Sequence, residues 1–77
     1  MKIQEHDCVV LTQDLPDAGL KAGDMGTVVH IHNDGAGYEV EFITLAGETL
    51  AVITLLPQQI RGIARGDIAH VREMHAS

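Results

Sequence analysis

The sequence predicts an all-β fold, a small barrel of five short antiparallel strands followed by a C-terminal extension. Three observations carry this. The apolar runs are short and built from Val, Ile, Leu and Thr, the residues that suit a pleated, half-buried surface. Gly, Pro, Asn and Asp punctuate those runs, where a chain must turn. A 77-residue chain with 45% hydrophobic and 21% charged residues is globular and has room for one domain. Tyr38 and Phe42 are its only aromatic residues, so the core is aliphatic.

Cys8 to Thr12 reads as the first strand. Gln13 to Gly23, with Pro16 and two glycines, is a long loop that should wrap across the barrel mouth. Met25 to His32 is the second strand, and Gly26 inside it suggests a bulge or a close backbone approach. Asn33 to Gly37 is a turn. Tyr38 to Thr44 is the third strand, and Leu45 to Glu48 turns the chain again. Thr49 to Leu55 is the fourth strand, ended by Pro57 in a 3₁₀ turn, and Ile60 to Ile63 is the fifth. Tight meander strands, a long first loop and a 3₁₀ turn before the last strand describe an SH3-like barrel. The domain spans residues 1–63 and the tail residues 64–77. The tail fits two structures. Asp67 can cap a short helix presenting Ile68, Val71 and Met74, or a sixth strand can place Ile68, His70 and Arg72 on one face.

A hairpin loop of Asp34 to Gly37 sets Ile31 opposite Val40 and Val29 opposite Phe42, facing inward. His32 then lies opposite Glu39 and His30 opposite Glu41, facing out. This register buries the apolar set and solvates the charged one. The fourth strand breaks the pattern. Leu50 and Val52 share one face, while Ala51, Ile53 and Leu55 share the other. Both faces are apolar, so one needs a cover, from the tail or from a second copy of the chain. Val28 and Ile43 extend the expected outward patch, and Ile68 and Val71 are the tail residues placed to meet it. A small chain with a thin core commonly gains buried area by oligomerising, so the expected partner is another copy.

The formal charge of −6 is uneven. Residues 1–60 hold nine acids against Lys2 and Lys21, while residues 61–77 carry a slight positive balance. An acidic body repels phosphate backbones, so a nucleic-acid or ribosome-associated barrel is the less favoured alternative, and no nucleic acid is expected as partner. Asp14, Asp17, Lys21 and Asp24 decorate the long loop and form a candidate partner-binding loop, although their spacing lacks the pattern of a calcium loop. The opening residues carry no apolar stretch of a signal peptide, and no run of about 18 apolar residues exists. A single cysteine forms no intrachain disulfide. The expected setting is a reducing cytoplasm without a membrane.

An ordered series of residues adds a resemblance. Asp7 to Leu11, Asp14-Leu15-Pro16, Gly19 to Val29, Tyr38 to Phe42 and Gly47 to Val52 together resemble a family of small bacterial and cyanobacterial proteins known as domain of unknown function 4926. The similarity covers residues 3–61. It implies a compact β domain and no assigned reaction, and the tail looks like an addition to it. The Gly19 to Val29 segment also looks like the KOW-type and related SH3-like barrels of translation proteins, where glycines permit a tight loop into a bulged strand. Fold analogy does not carry function.

Chemistry-bearing residues are few. His30, His32, Glu39 and Glu41 share the outer face, and imidazoles at i and i+2 with carboxylates across the ladder suit Zn²⁺ or Ni²⁺. The plainer reading is an exposed polar face with cross-strand pairs worth roughly 0.2–1 kcal/mol each. Cys8 with His6 nearby resembles a nucleophile and base. Its apolar strand and the neighbours Glu5 and Asp7 favour an inert core thiol instead. No phosphate loop, dinucleotide fingerprint or nucleophile elbow is present. His70 and His75 would confer pH sensitivity if packed against acids. The sequence therefore predicts no enzyme and no cofactor, but a non-catalytic protein-interaction module that self-associates. Metal binding through the His/Glu cluster is a further alternative.

Overall fold

The computed structural model of the chain describes residues 2–74. The strands are β1 Cys8–Leu11, β2 Met25–His32, β3 Gly37–Ile43, β4 Thr49–Leu55 and β5 Ile60–Gly62. Single 3₁₀ turns at Pro16–Ala18 and Pro57–Gln59 interrupt the first loop and precede β5. The fold is all-β, one antiparallel sheet in the order β4-β3-β2-β1-β5.

The expected barrel is not closed. No ladder joins β4 to β5 among the described residues, so both strands are edges. The sheet nevertheless curls. Leu55 from one edge and Ile60 from the other enter one core cluster with Val9, Leu11, Val28, Val40 and Phe42. A short connection enforces this approach. Leu56 N–H donates to Gln59 Oε1 at 2.8 Å, tightening the turn that brings the chain from β4 to β5.

The long first loop completes the core. Leu15 and Leu20 form an isolated bridge around the Pro16–Ala18 turn, and Gly19 between them takes φ +71°. That left-handed conformation suits glycine. Leu20 is buried in the cluster, with Leu15 and Ala18 packed against it. Gly26 marks a close approach and not a bulge. A Cβ there would stand 2.5 Å from Val40 Cγ1 and 3.0 Å from the Glu41 carbonyl oxygen.

The β2–β3 register differs from the expected one. The loop is Asn33 to Ala36, one residue early, because Asn33 and Asp34 accept positive φ alongside Gly35. His30 therefore lies opposite Glu39 and Ile31 opposite Tyr38. A bulge between Val28 and His30 then leaves Val29 unpaired and turns Val28 inward. Val28 pairs with Val40 and is fully buried, so it does not belong to the outward patch. Val29, expected inside, is exposed instead.

The outward face of β4 is bare in the single chain. Leu55 is buried, with Ile53 packed against the core, while Leu50 and Val52 point away at 41% and 53% exposure. The tail does not supply the expected cover. Residues 63–74 form neither helix nor strand. Two ion pairs hold them elsewhere: Arg61 grips Asp67, and Arg72 grips Asp24. Ile68 and Val71 are 90% and 72% exposed, so they bury little against anything. Arg61 meets Asp67 6 residues on and Arg72 meets Asp24 48 residues away, so ion pairs override the local helix or strand preference of this segment.

Candidate functional site

The outer face of the sheet carries the features that need a functional account. Side chains alternate across a strand, so β3 sends Glu39, Glu41 and Ile43 outward while Tyr38, Val40 and Phe42 enter the core. Across the ladder, Glu39 neighbours Thr54 and Glu41 neighbours Val52. Ile43, 51% exposed, pairs with Thr49 beyond a second register shift. Leu50, Val52 and Ile43 thus form the expected apolar patch, without Val28.

Beside the patch lies the His/Glu cluster. Three of its four expected members meet: His30, His32 and Glu39 hold their ligand-type atoms within 4.8 Å of one another. His32 Nε2 stands 3.1 Å from Glu39 Oε2, and the two imidazole rings meet edge to face with centroids 4.6 Å apart. Glu41 leaves the cluster. The bulge moves it opposite Thr27, and it accepts a hydrogen bond from Thr49 Oγ1 at 2.9 Å. Glu5 joins instead, with Oε2 4.0 Å from His30 Nδ1. The β1–β2 register, with Cys8 opposite Thr27, points to this neighbour when continued towards the N-terminus. The Asp7 carbonyl and the His6 N–H both bond to the Val28 backbone along that continuation.

Two acids of the first loop, Asp14 and Asp24, serve the loop itself. Asp14 Oδ1 accepts the Ala22 N–H and Asp24 Oδ2 the Lys21 N–H, each at 2.9 Å. Asp24 is also the anchor of Arg72, whose Nε donates to Oδ1 at 2.9 Å and whose other arm reaches the Gly19 carbonyl at 3.0 Å. Burial alone would raise the Asp24 carboxyl, but the hydrogen bonds from Arg72 and Lys21 and the Arg72 charge bring it below its ordinary value. Of the candidate partner-binding residues, Asp14, Asp17 and Lys21 are exposed and Asp24 is half-buried.

Cys8 is exposed, not the core thiol expected from its apolar strand, because it is the first residue of β1 while Val9 to Leu11 fill the interior. It opens on a shallow hollow with Lys2, Gln4 and Asp7, and none of the lining residues is a histidine. His70 is exposed, and His75 lies outside the described residues. Among the described residues, no helix is long and apolar enough to cross a membrane.

A family model described as "Domain of unknown function (DUF4926)" matches residues 5–62. The chain belongs to this family. The DUF4926 region takes in all five strands, the His/Glu cluster and the apolar patch, and stops where β5 ends. The tail anchors Asp67 and Arg72 lie beyond it. No curated protein and no solved structure matches the chain.

Proposed function

We propose that this chain is a non-catalytic interaction module that self-associates through β4. The observation that carries the reading is the character of that strand. It is a seven-residue edge with Leu50 and Val52 exposed on its outer face. Residues 49–60 contain no charged side chain, in a protein of net charge −6. Native sheets blunt long edges with lysine or proline, since unpaired N–H and C=O groups template another strand; β4 carries neither, and its one irregularity, at Leu50, lies next to its first residue. The partner that fits is a second copy. Two β4 strands meeting antiparallel about a two-fold axis place Val52 against Val52 of the other copy, extending one sheet into the next. The acidic bodies repel, and this uncharged stretch is where they approach at least electrostatic cost. Such a contact is at the small end of interface sizes, where weak and transient associations lie.

Sedimentation equilibrium tests this. The chain should pass from monomer to dimer mass with rising micromolar concentration, and Val52→Lys should hold it at monomer mass. A monomer mass for the unaltered chain throughout that range contradicts the proposal.

A further inference from the structure

We infer that His30, His32 and Glu39 form a binding site for a single divalent transition-metal ion of the Zn²⁺ class. This is separate from the self-association reading and does not depend on it. Three features of the geometry converge. Imidazoles at i and i+2 on β2 project from one face, so both rings are offered on the same side of the sheet. The four-residue loop from Asn33 to Ala36 sets the register in which Glu39 stands opposite His30 and within reach of His32. The bulge between Val28 and His30 adjoins this group, and bulges are over-represented next to functional sites. The ligand-type atoms already lie within 4.8 Å of one another. Two ligands on one Zn²⁺ at about 2.0–2.2 Å stand no more than about 4.4 Å apart. The remaining closure is a small rotation of side chains that are partly exposed and free to turn.

Glu5 is placed to give such a centre outer support. Its carboxylate stands 4.0 Å from His30 Nδ1, an ion-pair distance too long for a hydrogen bond. Closing that gap by a side-chain rotation would direct the Nδ1 N–H at Glu5 and leave Nε2 to coordinate, as metal-bound histidines are commonly held. The donor set is two neutral imidazoles and one carboxylate, which selects Zn²⁺, Cu²⁺ or Ni²⁺ over Mg²⁺ and Ca²⁺. A fourth position remains for water. The ion would also relieve the crowding of Glu5 and Glu39 on an already acidic body.

Titration calorimetry of the full chain with ZnCl₂ tests the site, with amide and imidazole NMR shifts locating it. The expected result is one Zn²⁺ per chain, with the largest shifts at His30 and His32. The double variant His30→Ala/His32→Ala and the isosteric Glu39→Gln should each weaken binding by about tenfold or more. Cys8→Ser and His70→Ala should leave it unchanged, as should an equal concentration of MgCl₂. These are surface positions, so the fold survives and the readout stays interpretable. Absence of Zn²⁺ binding in the micromolar range overturns the inference. So does binding that persists in the double variant, or that disappears in Cys8→Ser or His70→Ala alone.

Discussion

The two edges of the sheet are built to opposite specifications. β5 is three residues long, carries Arg61, and runs directly into the turn that Asp67 closes. Arg61 donates to both carboxylate oxygens of Asp67, at 2.8 and 3.0 Å, and Asp67 also accepts the Ala64 N–H. A short, charged edge of this kind discourages another strand from docking. β4 is seven residues long, has no charge from end to end, and exposes Leu50 and Val52. The same chain that guards one edge leaves the other open, so the openness of β4 is a selective feature and not a general laxity of a small domain.

The largest effect belongs to the inner face of β4. Leu55→Ala removes a fully buried side chain and should cost about 2–5 kcal/mol in urea denaturation. Val52→Lys, three residues earlier on the outer face, should change the stability of the isolated monomer by no more than about 0.5 kcal/mol while abolishing assembly. Comparable destabilisation by both would mean that the two faces do not differ as described.

Next in size is a pair of glycines. Gly26→Ala drives a methyl into Val40, Phe42 and the Glu41 carbonyl, and should cost about 1–3 kcal/mol. Gly62→Ala on β5 meets no atom within 4 Å and should be neutral by the same assay. An equal cost at Gly62 would indicate that β5 is covered in the assembled protein.

The smallest effect is the guard on β5. The hydrogen bond from Arg61, with that from the Ala64 N–H, lowers Asp67 to about 2. A carboxyl held below its unfolded value stabilises above that unfolded value and loses the contribution as pH falls through the folded one. The Asp67 contribution should therefore be present above about pH 4 and fade towards pH 2. Asp67→Asn should flatten that part of the pH profile of the urea midpoint, with a small change near neutrality because the pair is exposed. A profile identical to the unaltered chain would remove the pair from the account of the edge.

Much of this architecture was legible in the sequence because its signals are local. The β2 and β4 boundaries and the Pro57–Gln59 turn follow from β-branched runs and a proline, and the two faces of β4 follow from alternation alone. What was illegible depends on partners far along the chain or on small backbone choices. The bulge at Val29 was hidden because Val29 and Ile31 alternate as neatly as an inward pair would. That slip carried Val28 from the outer patch to the core, and exchanged Glu41 for Glu5 around the histidines. The open sheet was missed because strand count does not determine closure. The tail was unreadable because Arg72 finds Asp24 across 48 residues of sequence.

Amide hydrogen exchange across β4, measured at dilute and at concentrated protein, tests the central claim most directly. Exposed backbone N–H groups of Thr49–Leu55 should exchange quickly when dilute and become protected when concentrated, while those of β5 stay the same at both. Exchange from β4 that is identical at the two concentrations, with the mass of a monomer in each, would contradict it.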